Sequence, residues 1–524
     1  MEYRVARKSI LWDLLPGVLA AAVIFYRFPG NEPLHLQELA HYLSAAVRVQ
    51  LGETPSVDFK FMFGPGLLEL IVGWMGVFGS SVGSLHSFFV TGWQVYLLLF
   101  GVCLMRCSAS LGASALIATL FAAFWLPPYA VLLSWGGPRY VPGLLLLALG
   151  LHAIRADSKL ARQAALMTLA ASAPFCVLVS PEQSIVALAA LGIPLASSKH
   201  RKQVGAWLVD NSAGLVLIVF LLSVSIGLVE YLGFRATLFS YLSDLPAFRA
   251  WRQPLTPLGK SRILFALPML GLAAAAWRMA LGRAKEAYTA STTAAIAVIG
   301  VWTLLQVVYA ARAFHQAQGV MAMGFVVSFS ALVAYDLGRS SRLKRLALTF
   351  GVSLITVTVL SRLDSGYGVY LRWRANIVGR SVNCTSGCRE SALEALKGVV
   401  MPTHQVEELE AVVGFAKQEW SLQSDSSIFV FPEDGVFEFL LWRPSVGGFP
   451  IAVLAHTRPE WRAALLTALT ESPPHLIVRR KKIGLFAQSV GATTELLPEI
   501  QKFINDGYLP IQSTARFEIL RRTD

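Results

Sequence analysis

The sequence contains little charge and little cysteine. Charged residues make up 15% of its 524 residues, whereas 55% are hydrophobic, and the mean hydropathy is +0.56. This balance excludes an ordinary soluble domain, in which about 25% of residues are charged. Of the five cysteines, Cys103, Cys107 and Cys176 lie in or beside apolar runs, whereas Cys384 and Cys388 lie away from them. Their Cys-x3-Cys spacing fits a small disulfide loop or two ligands of a zinc site, but no further soft ligands lie nearby.

The sequence also lacks the short motifs of common soluble enzymes. It has no Walker loop, no dinucleotide-binding glycine pattern after a strand, no zincin helix and no Gly-x-Ser-x-Gly elbow. These absences argue against ATP-driven chemistry on this chain.

Acidic residues are fewer than basic ones, which leaves a net charge of +13. A basic balance can indicate nucleic-acid binding, but here the Lys and Arg residues fall in short clusters between apolar runs. Under the positive-inside rule, such clusters mark cytoplasmic loops. The N-terminus joins them, because Arg4, Arg7 and Lys8 precede an apolar run that no small-residue cleavage site follows. We therefore expect an uncleaved first helix and a cytoplasmic N-terminus.

Apolar runs of bilayer-spanning length predict a polytopic α-helical membrane protein with about 11 transmembrane helices. The run 66–79 is too short to span and is interpreted as an interfacial helix. The predicted spans are 10–28, 84–105, 111–128, 139–155, 163–180, 183–197, 212–233, 261–278, 289–310, 318–337 and 346–362.

This topology divides the chain into a transmembrane domain, 1–362, and a small α/β domain, 363–524. The second part has ordinary charge content, a helical pattern at 391–421 and strand-like runs at 428–431, 475–480 and 515–520. Counting the spans places it on the exoplasmic side, together with the first loop, 29–83, and a loop at 234–260. Most of residues 1–362 have the apolar composition of lipid-embedded helices, so the ionisable residues at the exoplasmic edge of this domain are candidates for a functional role.

The first exoplasmic loop carries the most specific pattern. If 36–50 is helical, as its Leu, Ala and Val spacing indicates, Glu38 and His41 share one helix face. A carboxylate with an imidazole partner suits general-base chemistry. After them come Gly52-Glu53-Thr54-Pro55, Asp58-Phe59 and a Phe63-Gly64-Pro65 turn.

This loop resembles the first exoplasmic loop of the GT-C superfamily of integral-membrane glycosyltransferases, particularly bacterial members of the mannosyltransferase and lipopolysaccharide-sugar-transferase type. In that family an early acid is followed by an amphipathic helix, a Gly-Glu-x-Pro-x-x-Asp-Phe stretch and an aromatic-Gly-Pro turn. Many relatives begin the loop with paired acids, whereas this chain has Asn31-Glu32. The resemblance implies one catalytic base, for which Glu38 is favoured over Glu32 and Asp58. Asp58 also fits the cap of a turn.

Further polar positions match places where such enzymes face their membrane-embedded cavity. The expected substrate-binding residues are His41, Arg139, Glu182, Arg252, Arg312 and His315. Simpler roles stay open for each of them. Glu182 follows Pro181 and fits a helix cap, and the two histidines fit local hydrogen bonding. Arg139 and Arg312 fit anchors at span ends, and Arg252 lies in a segment, 245–260, that suits either a flap or an interfacial anchor.

The resemblance implies an inverting glycosyltransferase of the bacterial inner membrane, acting on its exoplasmic face. Its partners would be a sugar on a polyprenyl phosphate and a glycan, lipid or protein acceptor. Since some members use a divalent cation held by paired acids, Asn31 favours no metal here, with Mg²⁺ or Mn²⁺ as the alternative. Two other functions stay open, namely a transporter or flippase of a lipid-linked solute and a non-catalytic envelope scaffold.

Overall fold

The fold is taken from a computed structural model of the chain. It describes residues 10–27, 36–107, 137–196, 212–250, 290–312, 387–421, 427–482 and 497–523, and the single positions 114, 117, 118, 270, 325, 326, 328, 329 and 332.

Helices dominate the described chain as far as residue 312. They are α1 (Ile10–Arg27), α2 (Leu36–Gln50), α3 (Pro65–Phe78), α4 (Val82–Cys107), α5 (Gly137–Arg155), α6 (Lys159–Val179), α7 (Pro181–Ala196), α8 (Ser212–Tyr231), α9 (Phe234–Ala250) and α10 (Ala290–Arg312). The loop 51–64 connects α2 to α3 and contains the Phe63-Gly64-Pro65 turn.

Within the described residues, α4, α5 and α6 are each long and apolar enough to cross a bilayer. Helices α8 and α9 form one more apolar pair, bent by 84°. Seven of the predicted spans coincide with described helices, namely α1, α4, α5, α6, α7, α8 and α10. The spans predicted at 111–128, 261–278, 318–337 and 346–362 lie almost wholly outside the described residues, so the number 11 stays a prediction.

Two segments predicted to be exoplasmic differ in how well the sequence described them. Helix α3 has 14 residues, as expected for an interfacial helix too short to span. The segment 234–260 is predicted as a long loop between spans, and its first part forms the helix α9. This helix carries a buried face, including Tyr241 and Asp244, that packs on the rest of the protein. Such stabilisation by tertiary contacts leaves little trace in local sequence.

Glycines allow several helices to approach closely. A side chain at Gly17 of α1 would lie 2.4 Å from the Leu98 backbone of α4, and one at Gly101 would meet Gly17 itself. Gly143 of α5 lies against the backbone of Gln183 in α7 in the same way. Small residues at such contacts are typical of helix packing in membranes, where van der Waals contact replaces the hydrophobic effect as the driving force.

The last part of the chain is a mixed α/β structure. Its strands are β1 (Cys388–Glu390), β2 (Val400–Pro402), β3 (Ile428–Phe431), β4 (Leu476–Arg480), β5 (Tyr508–Ser513) and β6 (Phe517–Arg522), and its α-helices are α11 (Thr403–Ser421), α12 (Val436–Leu441), α13 (Pro459–Glu471) and α14 (Pro498–Gly507). The main sheet has the order β3-β4-β6-β5. Only its β3–β4 pair is parallel.

The strands predicted at 428–431, 475–480 and 515–520 are confirmed as β3, β4 and β6. The helix predicted over 391–421 begins only at Thr403, so the prediction for 391–402 was wrong. Gly398 has a φ of +76°, which interrupts any helix, and β2 then pairs with β1. Cys388 is disulfide-bonded. The boundary predicted after residue 362 and Cys384 both lie outside the described residues.

This α/β part contacts helix α2 directly. Arg48 of α2 donates to Glu438 of α12 at 3.4 Å, to Glu53 at 3.0 Å and to the backbone oxygen of Ser445. Glu438 also accepts from the backbone N–H of Ser445 at 2.9 Å. Burial raises the pKa of Glu438 to about 7, and Arg48, which it shares with Glu53, only partly offsets this effect.

This pKa predicts that stability depends on pH through Glu438. The folded protein holds the proton up to about pH 7, whereas the unfolded chain releases it near 4.5. The contribution to the free energy of unfolding is therefore largest below pH 4.5 and is lost as the pH rises towards 7, by on the order of 3 kcal/mol. Thermal unfolding at about pH 5 and about pH 8 measures this loss.

Glu438→Gln is the matched variant, since its amide oxygen can accept both hydrogen bonds that reach the same Glu438 oxygen. We expect it to flatten the pH dependence of the melting temperature between those two conditions. An unchanged pH dependence in this variant would show that Glu438 is not the group responsible.

Candidate functional site

An aromatic shelf lies where the first loop meets the transmembrane helices. The Phe63 ring stacks on Tyr42 of α2 with centroids 5.2 Å apart and planes 10° apart. The guanidinium carbon of Arg139 lies 4.3 Å from the centroid of the Phe63 ring. His41 contacts the same pair, with centroids 3.9 Å from Tyr42 and 5.3 Å from Phe63. The shelf therefore joins α2, the Phe63-Gly64-Pro65 turn and the start of α5.

The position of Phe63 depends on the glycine that follows it. A side chain at Gly64 would lie 2.4 Å from the backbone oxygen of Val179, at the end of α6. Only a residue without a Cβ allows the turn to lie this close to that helix. Pro65 then starts α3, at the position where proline suits a helix because its missing N–H is not needed.

Arg139 is the notable charge of this site. Its side chain is only 7% exposed, and its Nη1 atom has no hydrogen-bond partner among the described residues. A buried guanidinium needs compensation, and a cation–π contact supplies only part of it. Tyr42, Glu182, Tyr241 and Tyr309 are close enough to interact with it electrostatically. The arrangement suits a site that receives an anion, since Arg offers a planar fork of N–H donors.

Glu182 and Tyr241 form the polar wall beside Arg139. Glu182 lies in the first turn of α7, and its carboxylate accepts a hydrogen bond from the Tyr241 hydroxyl at 3.2 Å. The interpretation of Glu182 as a helix cap is compatible with this contact. A negative charge in the first turn of a helix also interacts favourably with the helix dipole. Deeper in the helices, Gln306 of α10 donates to Gln183 at 2.7 Å. Polar side chains thus continue from the shelf into the helical core.

The structure brings three of the predicted site residues together, namely His41, Arg139 and Glu182. Glu38 lies in the first turn of α2, three residues before His41 and four before Tyr42. The structure describes the backbone of Glu38 but not its side chain. The helix predicted at 36–50 coincides with α2, so the shared helix face inferred for Glu38 and His41 is confirmed at the level of the backbone.

Asp58 takes the structural role that the sequence also allowed. It is exposed, and its carboxylate accepts a hydrogen bond from the backbone N–H of Thr54 at 2.7 Å, which closes the turn. Arg312 is the last residue of α10, one turn after Tyr309, and its side chain is not described. Glu32, Arg252 and His315 lie outside the described residues.

Sequence reasoning missed Tyr241 and Tyr309. Tyr241 lies in a segment expected to be a loop, so no signal in the sequence pointed to it. Tyr309 precedes the polar turn of Arg312 and His315 by one helical turn, and this spacing was a usable signal. Among the described residues, no three His, Cys, Asp or Glu side chains are placed to hold a metal ion. Since the side chains of Glu32 and Glu38 are not described, the prediction about a metal ion stays untested.

No family model and no curated protein matches the sequence. Solved structures do match it. ArnT from Cupriavidus metallidurans bound to undecaprenyl phosphate superposes with a TM-score of 0.51 and 13% identity, covering 98% of both chains. The apo state of the same protein gives a TM-score of 0.48 with the same identity and coverage. The oligosaccharyltransferase of Archaeoglobus fulgidus gives 0.48 and 13%, covering 96% of this chain and 72% of that one.

The chain therefore shares the GT-C fold of ArnT, and three of its described helices are long and apolar enough to cross a membrane. The likeness to ArnT extends over nearly the whole length of both chains, so it includes the α/β part as well as the helices. The resemblance inferred from the first loop is confirmed at the level of the fold.

The close approach at Gly64 predicts a difference between two glycines. Gly64→Ala places a methyl group against the α6 backbone, and we expect a loss of about 1–3 kcal/mol in the free energy of unfolding. Gly73→Ala in α3 is the control, because nothing lies within 4 Å of its added methyl group. Thermal unfolding of both variants checks the prediction. Equal stability of the two would contradict the close packing of the turn.

Proposed function

We propose that the protein is an inverting glycosyltransferase that moves a sugar from a polyprenyl-phosphate donor to an acceptor hydroxyl at the exoplasmic face of the membrane. The observation that carries this proposal is the buried, incompletely paired Arg139 on its aromatic shelf. The fold shared with ArnT, which was crystallised with undecaprenyl phosphate, supports the same class of donor.

Arg139 is the group proposed to bind the donor phosphate. Phe63 covers one face of the guanidinium, which leaves its N–H edge for in-plane hydrogen bonds. In a buried site these charge-assisted bonds are strong, because water does not compete for the anion. Before the donor binds, the nearby carboxylate of Glu182 balances part of the positive charge. After transfer, the same cation stabilises the phosphate that leaves.

Glu38 is the proposed base. Helical geometry places it on the side of α2 that carries His41 and Tyr42, and both of these rings contact Phe63. The acceptor hydroxyl would transfer its proton to the Glu38 carboxylate while its oxygen bonds to the anomeric carbon. The bond from that carbon to the phosphate oxygen breaks at the same time, and its electron pair leaves with the polyprenyl phosphate. A single displacement of this kind needs one base and inverts the anomeric centre.

The remaining roles follow from position. Tyr241 and Glu182 are placed to bind donor hydroxyls or to orient Arg139, and His41 supports the shelf beside the base. We place the site on the exoplasmic face of a bacterial inner membrane, with 363–524 as an exoplasmic domain that contributes to the acceptor side. Acceptors of glycan, lipid and protein type all offer the required hydroxyl.

Two substitutions test the assignment of roles in protein reconstituted with polyprenyl-phosphoryl sugars. We expect Glu38→Gln to lower kcat by about 10²–10⁴-fold while donor binding persists, because only the proton acceptor is lost. Arg139→Gln should instead weaken binding of the donor and of free polyprenyl phosphate. Sugar transfer and ligand binding are measured separately for each variant.

Asp58→Asn and Glu32→Gln serve as controls for the base. Asp58 closes an exposed turn, so its variant should keep wild-type kcat. Loss of turnover in either control, with normal turnover in Glu38→Gln, would move the base to that residue. Passage of a lipid-linked solute without sugar transfer would instead favour a carrier, and indifference to all of these variants would favour a scaffold.

A further inference from the structure

We propose that Asp244 is a positioning residue for the Arg139 site, acting by holding α9 so that Tyr241 engages Glu182. This inference rests on the proposed function, since it concerns the same anion site. It adds a residue that has no contact with the shelf and that belongs to a separate group of charges.

Asp244 is the centre of an ionic cluster, here called the latch, made of Lys60, Asp244, Arg458 and Trp461. The residue is 5% exposed, and its carboxylate accepts a hydrogen bond from Lys60 Nζ at 2.8 Å, while Arg458 Nη1 lies 3.5 Å from its other oxygen. Both cations also lie over the Trp461 ring, at 5.6 and 5.2 Å from its centroid. A carboxylate this buried is stable in its charged form only with such partners.

The latch joins three parts of the chain that are distant in sequence. Lys60 belongs to the first loop, Asp244 to α9, and Arg458 and Trp461 to the α/β part. Backbone contacts support the junction. Arg458 also donates to the Ser243 oxygen at 3.1 Å, and the Lys60 N–H donates to the Gly448 oxygen at 2.9 Å.

The latch lies on the two segments of the chain that lead to the Arg139 site. Tyr241 lies three residues before Asp244, on the same buried face of α9, so a shift of this helix at Asp244 also moves Tyr241. Lys60 lies three residues before Phe63, on the stretch that leads into the shelf. Releasing the latch therefore frees the tyrosine wall and loosens the segment that carries the ring beneath Arg139.

A simple structural role for Asp244 predicts something different. If the ion pairs only stabilised the fold, their loss would lower the melting temperature and leave the affinity of the folded site unchanged. If Asp244 positions Tyr241, its loss should weaken binding at the Arg139 site and should do so through Tyr241. The two interpretations are separated by affinity and by coupling between the two residues.

The experiment measures the dissociation constant of undecaprenyl phosphate for the full chain in lipid nanodiscs. We expect Asp244→Asn and Tyr241→Phe each to weaken binding on the order of 10-fold, and the double variant to be no weaker than the single ones, because both changes remove the same contact. Asp244→Glu should recover much of the affinity. Transfer activity with a sugar donor should follow the same order.

Glu518→Gln is the matched control, since it removes an ion pair with Arg479 at 2.7 Å that belongs to the α/β part and not to the latch. It should leave the affinity unchanged. Should Asp244→Asn fail to fold, Lys60→Met takes its place. Arg458 still pairs with the buried Asp244 carboxylate, so the fold is retained, but the ion pair between the first loop and α9 is lost, and we expect the same loss of affinity.

Three results would overturn the inference: wild-type affinity in folded Asp244→Asn, additive losses in the double variant, or equal weakening by Glu518→Gln. If the wild-type protein transfers sugar but any one of these results is found, the proposed function stands and only the role of the latch is wrong. If the wild-type protein neither binds undecaprenyl phosphate nor transfers sugar, the proposed function is wrong and the inference is overturned with it.

Discussion

A guanidinium buried beside apolar helices is the constraint on which the site depends. Arg139 is removed from water, and among the described residues its environment is a phenyl ring, one carboxylate and several phenols. Burial of such a charge is unfavourable unless anions or donors compensate it. The partial compensation seen here leaves capacity for an anionic ligand. The ring under Arg139 in turn needs the turn at Gly64, which needs the end of α6 close beside it.

The α/β part supports this arrangement from outside the helices. It contacts α2 through Arg48 and Glu438, and it contacts the first loop and α9 through Asp244 and its cations. These contacts hold the two segments that carry Tyr42 and Tyr241. These segments are α2 and α9, and neither sequence by itself fixes where its helix lies in the fold. The α/β part is therefore better understood as structural support of the site than as an appended module.

Much of the architecture was predictable because it depends on local pattern. Apolar runs located α1, α4 to α8 and α10, and the spacing of Leu, Ala and Val located α2. Short strand-like runs located β3, β4 and β6. The failures have different causes. Helix α9 is stabilised by partners far away in the chain, Lys60 and Arg458, which pair with Asp244. The helix predicted at 391–402 is instead interrupted locally by the positive φ of Gly398, and Val400–Pro402 pairs with the nearby strand β1.

The sequence by itself determined the class of protein, the helical membrane part and the polar segments in which a site was to be found. These properties follow from hydropathy over runs of about 20 residues and from the spacing of residues over one or two helical turns. Tertiary structure decided which polar residues meet. Arg139, Glu182 and Tyr241 are separated by tens of residues, and Tyr241 had no sequence signal at all. Asp58 was a candidate base and a candidate turn cap from the sequence, and in the fold its carboxylate closes its own turn. Contacts between distant residues depend on how helices pack, and close packing is a property of the whole fold.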